Sequence, residues 1–350
     1  MRGILVAAAT ALLLSLVMTP LAIRVFRSRG YGQLIRDDGP QNHHSKRGTP
    51  TMGGTAIIFS AIAGYIAATL VYPPLSGNPI RVSHGGMLAL GVFAAMGGVG
   101  FVDDYIKIRR QRNLGLTKTA KFAGQALVAG LFAFGAEYIA DTSTNLSFIR
   151  ATDFDFGRFF ILWVFIILVS TSNAVNLTDG LDGLAAGAAA LIFGAFTVIA
   201  FWQFRHPEDY SFVVVVHADA LAFVAAAAMG ATLGFLWWNA HPAKIFMGDT
   251  GSLGIGGLLA ALAVLTETEL LLVILGGLFV VITLSVIIQV FSFRVFGRRV
   301  FKMAPLQHHF ELSGWEETTI IVRFWIISGL AVAFGLGLFY AECVNRGCAG

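Results

Sequence analysis

Long apolar stretches, bounded by Pro, Gly or charged residues, recur along the whole chain and are separated by short polar segments. None of them alternates polar and apolar residues with a period of two, as a barrel strand would. The stretches cover residues 3–23, 53–72, 86–102, 122–140, 159–176, 184–203, 212–237, 251–266, 270–292 and 321–340. A spanning helix needs roughly 20 apolar residues and satisfies its own backbone inside lipid, so the pattern predicts an all-α polytopic integral membrane protein with about ten transmembrane helices.

The composition of the 350-residue chain supports this interpretation, since 56% of its residues are hydrophobic and only 13% are charged. That charged share is about half of the usual value and excludes an ordinary soluble globule or a disordered chain. The two cysteines, Cys343 and Cys348, make no disulfide framework. Residues 3–23 run into Arg24 without a cleavage pattern, which favours a first membrane helix over a signal peptide. We expect residues 1–350 to form a single integral membrane domain.

The distribution of positive charge predicts the topology. Of the 24 Lys and Arg residues, 18 lie in alternate loops at 24–52, 103–121, 239–250 and 293–320 or at Arg323. By the positive-inside rule these loops are cytoplasmic and both termini are on the outer side. The net charge of +4 then follows from topology, and we expect no nucleic-acid partner.

The same loops, with the turn at 177–183, also collect the unusual polar residues. These are His43, His44, His241, His308, His309, Asp103, Asp104, Asp179, Asp182 and Asp249. We expect the loops of this face to converge on one cleft, where Asp103, Asp182 and Asp249 meet around a hollow that fits a cation.

The segment GFVDDYIK at 100–107 ends the third predicted helix. Its adjacent carboxylates, Asp103 and Asp104, repel each other, and a divalent cation or a phosphate-bound metal would relieve that repulsion. Lys107 lies four residues after Asp103 and is placed to pair with it. A solvated helix end with an ordinary ion pair is the structural alternative.

The segment NAVNLTDGLDG at 173–183 combines Asn, Asp and Gly after a very apolar helix, which is typical of a polar pocket. Asp179 and Asp182 can share a helical face, and Gly180 permits a ligand to approach the backbone closely. The alternative is that Asp182 caps the next helix.

The segment NAHPAKIFMGDTGS at 239–252 places Asp249 where the eighth helix begins. Its carboxylate would either cap that helix or bind a metal beside the positive helix end, where phosphate is also stabilised. Capping alone would not require Asn239, Lys244 or Phe246, and Phe246 is suited to stack on a base.

The segment MAPLQHHFE at 303–311 carries paired histidines, which suit zinc binding, proton transfer or hydrogen bonds to phosphate. Zinc is disfavoured because the segment has no Cys and no third His. The neighbouring basic run at 298–302 is also explained by anionic lipid. The loop GTPTMGG at 48–54 resembles a turn that contacts phosphate, but it lacks the Lys-Ser/Thr of a P-loop and so does not indicate an NTPase.

Carboxylates, Asn, Lys and His at one membrane face favour phosphoryl transfer with a lipid as one substrate. Magnesium (Mg2+) is the expected cofactor, because it takes few carboxylates and shares the phosphate oxygens of its substrate. A transporter of a phosphorylated or anionic substrate is the alternative class, and His217 and Asp219 in the seventh helix hint at it.

Five motifs of this chain resemble those of the phospho-N-acetylmuramoyl-pentapeptide transferases, in the polyprenyl-phosphate N-acetylhexosamine-1-phosphate transferase superfamily. They are GTPTMGG at 48–54, GFVDDYIK at 100–107, NAVNLTDGLDGL at 173–184, FLWWNAHPAKIFMGDTGSLG at 235–254 and MAPLQHHFELSGW at 303–315. The resemblance covers essentially the whole chain, and the first and last motifs favour the muramoyl-pentapeptide branch.

The resemblance implies transfer of phospho-N-acetylmuramoyl-pentapeptide from UDP-N-acetylmuramoyl-pentapeptide to undecaprenyl phosphate, giving lipid I and UMP with Mg2+ as cofactor. It further implies a multi-pass protein of the bacterial cytoplasmic (inner) membrane, with the active site on the cytoplasmic face. A homodimer is the oligomeric state that the resemblance suggests.

By the same resemblance, Asp103 is the base that deprotonates the lipid phosphate and Asp104 supports it and the metal site. Asp249 is implied as the magnesium ligand, or as the nucleophile of a two-step route. The implied substrate contacts are Lys121, Asn176, Gly180, Leu181, Asp182, Asn239, Phe246 and Gln289. From their motifs we add His308 as a catalytic candidate and Lys107, Asn173, Asp179, Gln307 and His309 as substrate-binding candidates.

One position departs from the family pattern, which has three consecutive histidines after Met-Ala-Pro-x. The first of them is Gln307 here. A Gln donates a hydrogen bond to phosphate but carries no proton or positive charge at neutral pH. We expect retained function if that position only orients phosphate, and a catalytically impaired family member if it is an obligate acid or base.

Overall fold

The computed structural model describes residues 1–32, 48–76, 83–111 and 114–345. The α-helices are α1 Arg2–Ser28, α2 Gly54–Ser76, α3 His84–Arg110, α4 Lys118–Tyr138, α5 Phe160–Thr178, α6 Leu184–Arg205, α7 Phe212–Asn239, α8 Gly248–Leu265, α9 Glu269–Leu275, α10 Gly277–Phe296, α11 Leu306–Glu311 and α12 Glu317–Asn345. Between α4 and α5 lie the antiparallel strands β1 Asn145–Ser147 and β2 Ala151–Asp155, followed by a 3-10 turn at Gly157–Phe159.

Ten helices within these described residues are long and apolar enough to cross a membrane. They are α1 to α8, α10 and α12, and they confirm the predicted all-α polytopic architecture. The predicted site residues His43 and His44 and the cysteine Cys348 lie outside the described residues.

The ninth predicted stretch, 270–292, is not a single helix. It is broken at Gly276 into α9, which is too short to cross a membrane, and α10. Gly276 has a φ of −87° and a ψ of 20°, outside helical values, and a second glycine follows it. Glycine has the lowest helix propensity after proline, so the break falls where the helix is weakest. The apolar pattern also does not predict the hairpin β1–β2, whose strands are too short to show a period.

Helices α6, α7 and α8 are the most buried of the spanning helices that the structure describes. Every residue of α8 from Thr250 to Leu265 is buried, as is the Ala-rich part of α7 at 220–228. Small residues let helix backbones approach closely, which drives helix packing in lipid. A Cβ added at Gly230 or Gly234 of α7 would press on backbone carbonyls of α1, so these glycines are required for the close contact.

The N-terminus of α8 is packed between α2 and α3 by two further glycines. A Cβ at Gly54 would overlap the backbone of Gly251, and a Cβ at Gly100 would overlap the carbonyl of Asp249. Gly54 also donates its N–H to the carbonyl of Met247 at 2.9 Å. These contacts bring the polar residues of α3 next to the first turn of α8.

Candidate active site

Asp103 and Asp104 of α3 and Asp249 of α8 form a cluster of carboxylates. One carboxylate oxygen of each residue lies within 4.8 Å of the others. Asp103 and Asp104 are buried, with 3% and 4% of their surface exposed. Because α3 continues to Arg110, the two residues lie inside a helix and not at a solvated helix end, which excludes that alternative.

Asp104 accepts hydrogen bonds from the first turn of α8. Its Oδ1 accepts from the N–H of Asp249 at 3.2 Å, and its Oδ2 accepts from the N–H and the hydroxyl of Thr250 at 2.9 and 2.8 Å. The first N–H groups of a helix have no partner inside the helix, and the helix dipole stabilises a carboxylate there. The alternative that Asp249 caps α8 is therefore wrong, because the capping carboxylate comes from α3.

The carboxylate of Asp249 is held by residues from three other helices. Asn176 of α5 donates to Oδ1 at 2.7 Å, while Lys107 of α3 and Lys121 of α4 bind Oδ2 at 3.0 and 2.6 Å. Asn176 also donates to the hydroxyl of Ser252 at 2.8 Å. The structure thus brings α3, α4, α5 and α8 together around one carboxylate.

Lys107 contacts all three carboxylates of the cluster. Its Nζ lies 2.6 Å from Asp103, 3.0 Å from Asp249 and 3.8 Å from Asp104, which confirms the pairing predicted between Lys107 and Asp103. With Lys121, two ammonium groups face three carboxylates, so the ionised cluster keeps an excess of negative charge. A buried excess charge is costly unless a cation neutralises it, and an all-oxygen ligand set suits a hard divalent cation.

Asp103 is also held by the segment that precedes α4. Its Oδ1 accepts from the N–H of Leu116 at 2.8 Å. Gly115 packs so closely that an added Cβ would lie 2.6 Å from the Asp103 carboxyl carbon. These contacts leave the Asp103 carboxylate little freedom to rotate.

A fourth carboxylate, Asp179, follows the last turn of α5. Burial raises its pKa well above the usual range, and the negative charges of Asp249, Asp104 and Asp182 raise the pKa further. Among the described residues, no side chain pairs with the Asp179 carboxylate. The Asp179 carboxyl thus lies near enough to the cluster for the charges of Asp249 and Asp104 to disfavour its ionised form.

Asp182 does not share the hollow of Asp103 and Asp249, contrary to the expectation from sequence. Its Oδ2 accepts from His241 Nδ1 at 3.1 Å and from the N–H of Ala243 at 2.9 Å. The alternative that Asp182 caps α6 is also wrong, because the residue before α6 is Gly183 and no side chain caps that helix.

Asp182, His241 and Glu317 form a second group whose ligand atoms lie within 4.8 Å of one another. Glu317, at the start of α12, accepts from the N–H of Asp182 at 3.1 Å and lies 3.5 Å from His241 Nδ1. Sequence reasoning missed Glu317, because the two acids are 135 residues apart and the segment around Glu317 carries no motif.

Helix α11 places Gln307 and His308 over the turn that follows α5. Gln307 is fully buried and donates to the carbonyl of Leu177 at 2.9 Å. His308 Nδ1 pairs with Glu311 at 2.5 Å. A Cβ at Gly180 would lie 3.0 Å from Gln307 Nε2 and from His308 Nε2, so the two side chains pack directly on this glycine.

Several predicted substrate contacts have partners inside the protein. Asn173 donates to a carbonyl one turn earlier in α5 at 2.8 Å, and His309 Nδ1 accepts from the N–H of Lys302 at 3.1 Å. Asn239 donates to the carbonyl of Ile245 at 2.8 Å, while its buried Oδ1 has no partner among the described residues. The unpaired Oδ1 leaves Asn239 one acceptor for a ligand.

Phe246 joins the site to the loop before α2. Its N–H donates to the carbonyl of Pro50 at 2.8 Å, and its carbonyl accepts from the N–H of Gly53 at 2.9 Å. Leu181 is buried, and its carbonyl accepts from the N–H of Leu184 at 3.2 Å. The side-chain amide of Gln289 bonds through both its oxygen and its nitrogen to the backbone of the loop that follows α10.

The fold and the cluster define a multi-pass membrane protein with a charged site, and the comparisons place it among the membrane transferases. The profile of Glycosyl transferase family 4 matches residues 87–267, and phospho-N-acetylmuramoyl-pentapeptide-transferase signature 1 matches residues 46–58.

Three curated relatives carry the name phospho-N-acetylmuramoyl-pentapeptide-transferase. The relative from Frankia casuarinae is 56% identical over 99% of this chain and 99% of its own length. The relative from Streptomyces coelicolor is 52% identical over 97% of this chain and 98% of its own length. The relative from Mycobacteroides abscessus is 50% identical over 98% of this chain and 98% of its own length. The chain belongs to the phospho-N-acetylmuramoyl-pentapeptide-transferase family, which confirms the resemblance seen in its motifs.

Proposed function

We propose that this protein transfers phospho-N-acetylmuramoyl-pentapeptide from UDP-N-acetylmuramoyl-pentapeptide to undecaprenyl phosphate, with Mg2+ as cofactor, and releases lipid I and UMP. The name of its full-length relatives supports this reaction. The observation that carries the proposal is the Asp249 carboxylate, which Lys107, Lys121 and Asn176 hold beside Asp103 and Asp104. The two lysines, together with a cation held by the carboxylates, are suited to bind the phosphate groups of both substrates.

In the proposed reaction, a phosphate oxygen of the lipid attacks the phosphorus atom that bears the sugar. The new phosphorus–oxygen bond forms as the bond to UMP breaks, so one diphosphate is exchanged for another. We assign to Asp103 the removal of a proton from the lipid phosphate when that phosphate arrives as a monoanion. Leu116 and Lys107 hold the two Asp103 oxygens in place for this transfer.

We assign to Lys107 and Lys121 the binding and stabilisation of the negatively charged phosphates that react. Their side chains are 32% and 21% exposed, so each ammonium group is reachable by a substrate although it is already paired with Asp249. Fixed cations near the bridging oxygens stabilise the charge that develops in phosphoryl transfer.

The carboxylates of Asp103, Asp104 and Asp249 would hold the magnesium ion, which their excess negative charge and oxygen donors fit. When bound, Mg2+ polarises phosphate oxygens and offsets the charge of the UMP leaving group. Lys107, Lys121 and Asn176 position both oxygens of Asp249 beside the two other carboxylates.

The residues that hinted at a transporter have partners within the protein. His217 Nδ1 lies 2.7 Å from the hydroxyl of Ser83, and its Nε2 lies 3.1 Å from the carbonyl of Ala140. Asp219 accepts from the N–H of Ala220 at 2.7 Å. These contacts give both residues a structural role, which favours the transferase proposal.

We further propose that residues 1–350 form one domain in the bacterial inner membrane, with the site on the cytoplasmic face. The concentration of Lys and Arg in alternate loops supports this orientation. The outer location of both termini and the homodimer stay predictions.

Release of UMP by the purified protein tests the proposed function. We expect UMP only when both substrates and Mg2+ are present, and we expect EDTA to abolish it. Transport of labelled substrate into vesicles without UMP release would instead assign the chain to the transporters.

A further inference from the structure

Residues 289–302 form the end of α10 and the loop that folds back onto it, and we call this segment the α10 tip. The segment contains four basic residues and four phenylalanines and no acidic residue. None of its side chains is bonded to the carboxylate cluster among the described residues. The proposed reaction therefore leaves this group of cations without a role.

The α10 tip is held in one conformation by its own hydrogen bonds. Gly297 ends α10 with a φ of 65°, a left-handed conformation that lets the chain reverse. Gln289 then accepts from the N–H of Val300 at 3.0 Å and exchanges two bonds of 2.9 Å with the backbone of the next residue. Ser292 donates to the carbonyl of Arg298 at 2.9 Å. The basic side chains thus project from a fixed backbone.

The charges of the α10 tip are exposed and uncompensated. All residues from Phe293 to Val300 are exposed. The guanidinium groups of Arg294, Arg298 and Arg299 have no hydrogen-bond or ion-pair partner in the part of the chain that the structure describes. Three exposed and unpaired cations within six residues of the chain favour the binding of an anionic partner.

Exposed aromatic side chains accompany these cations. Phe291, Phe293 and Phe296 are 60%, 56% and 65% exposed, and α10 as a whole is one of the least buried spanning helices. Aromatic and basic residues together at the end of a spanning helix match the boundary between lipid tails and headgroups. Guanidinium groups bind phosphate oxygens through two parallel hydrogen bonds.

The α10 tip lies at the same end of the bundle as the carboxylate cluster. The loop continues into α11, whose Gln307 donates to the carbonyl of Leu177 at the end of α5. One residue earlier in α5, Asn176 donates to Asp249. Headgroups of the leaflet at this end are therefore within reach of the tip.

We propose that the α10 tip is a docking surface for the headgroups of anionic phospholipids in the leaflet at the site end of the bundle. Arg294, Arg298 and Arg299 bind the phosphodiester groups, and the exposed phenylalanines insert among the upper parts of the acyl chains. Three separate cations on an outward surface suit several headgroups of the bulk membrane better than one enclosed substrate phosphate. Because the tip leads directly into α11, bound lipid also holds the segment that carries Gln307 and His308.

Native mass spectrometry of the purified full chain, incubated with equal amounts of phosphatidylglycerol and phosphatidylcholine, tests this proposal. The variant Arg294→Gln/Arg298→Gln/Arg299→Gln is compared with Arg24→Gln/Arg27→Gln/Arg29→Gln, which removes three exposed arginines near the end of α1. We expect the tip variant to lower the preference for phosphatidylglycerol by about fivefold or more and the control to change it by less than about twofold.

A Gln289→Ala variant keeps every arginine but loses the bonds that hold the loop, so we expect a smaller loss of phosphatidylglycerol preference. If the tip variant and the α1 control lost the same amount of phosphatidylglycerol preference, the anionic lipid would be attracted to any exposed positive charge, and the proposal would be overturned. Unchanged phosphatidylglycerol binding together with weaker binding of undecaprenyl phosphate would assign the tip to the lipid substrate and overturn it as well. None of these measurements depends on UMP release, so they stand apart from the test of the proposed function.

Discussion

Asp104 of α3 and Thr250 of α8 are joined by two hydrogen bonds, in which the carboxylate accepts from the backbone N–H at 2.9 Å and from the hydroxyl at 2.8 Å. One transmembrane helix thereby caps another. The position of the first turn of α8, and with it the Asp249 carboxylate, depends on how closely α3 and α8 pack. Gly100 sets that distance, because the backbone of Asp249 lies directly against it.

Replacing Gly100 by Ala should therefore separate α3 from α8. The added Cβ would overlap the Asp249 carbonyl, and we expect a loss of about 1–3 kcal/mol in stability together with lower UMP release. Gly98→Ala on the same helix is the matched control, since a Cβ there meets nothing within 4 Å. Thermal unfolding in detergent measures the stability, and an assay of UMP release measures the activity. Equal stability and equal activity of Gly100→Ala and Gly98→Ala would contradict this packing argument.

Neutralising the carboxylates of the cluster should remove activity. We expect Asp103→Asn and Asp249→Asn each to lower the rate of UMP release by more than about tenfold, because the first removes the proposed base and the second removes a charged ligand of the proposed metal site. Asp153→Asn, an exposed residue of β2, serves as the control and should keep the wild-type rate. A near-normal rate in either cluster variant would refute the role assigned to that residue.

Lys121 should contribute through its charge. Its Nζ lies 2.6 Å from Asp249, and a hydrogen bond to a charged group is worth about 1.5–3 kcal/mol, so we expect Lys121→Gln to lower kcat/KM by about tenfold or more. Lys118→Gln, one turn earlier on an exposed position of α4, should have little effect. If both variants lowered kcat/KM equally, the loss would be explained by a general effect of positive charge and not by the contact between Lys121 and Asp249.

Gln307→His tests whether this chain is impaired by its departure from the family pattern. A His side chain can also donate to the carbonyl of Leu177, so we expect a rate of UMP release close to that of the wild type. Gln307→Leu loses this bond inside a fully buried site and should destabilise the protein by about 1–3 kcal/mol. A clear gain in rate for Gln307→His would show that the natural chain is catalytically compromised.

Glu269, at the start of α9, is expected to make the stability of the protein depend on pH. Its side chain is buried, Oε2 has no partner among the described residues, and burial followed by the charge of Glu267 raises its pKa well above the ordinary value of 4.5. A carboxyl whose pKa is higher in the folded than in the unfolded protein favours folding below the unfolded pKa. That stability is lost as the pH rises through the folded pKa.

We therefore expect Glu269→Gln to unfold at a higher temperature than the wild type at pH 8 and to lose this advantage near pH 4. Glu208→Gln, at an exposed position, is the control and should follow the wild type at both pH values. If the unfolding temperatures of the wild type and of Glu269→Gln changed in parallel with pH, the pKa of Glu269 would be the same in the folded and the unfolded protein, and this prediction would be wrong.

The contacts of Asp182 and Gln289 show what sequence reasoning could not reach. The loop that carries Asp182 was predicted on the same face as Asp249, which suggested a shared site, yet its partners are His241 and Glu317. Gln289 lies in an apolar helix and was implied by the resemblance to be a substrate contact, yet its amide is bonded to the backbone at residues 300 and 301. A polar residue in an apolar segment indicates a specific role, but the sequence pattern does not identify its hydrogen-bond partner.

The sequence by itself determined nine of the ten described spanning helices and the pairing of Lys107 with Asp103, because both depend on local properties; the ninth stretch is broken at Gly276. Lipid leaves the backbone few structures other than a helix about 20 residues long, and residues four apart on a helix are always neighbours. Only the tertiary structure decided that Asp104 caps α8 across 146 residues of chain and that Glu317 reaches Asp182 across 135. Such contacts depend on which helices are adjacent, and adjacency is set by the close packing of small residues such as Gly54 and Gly100, which no local pattern specifies.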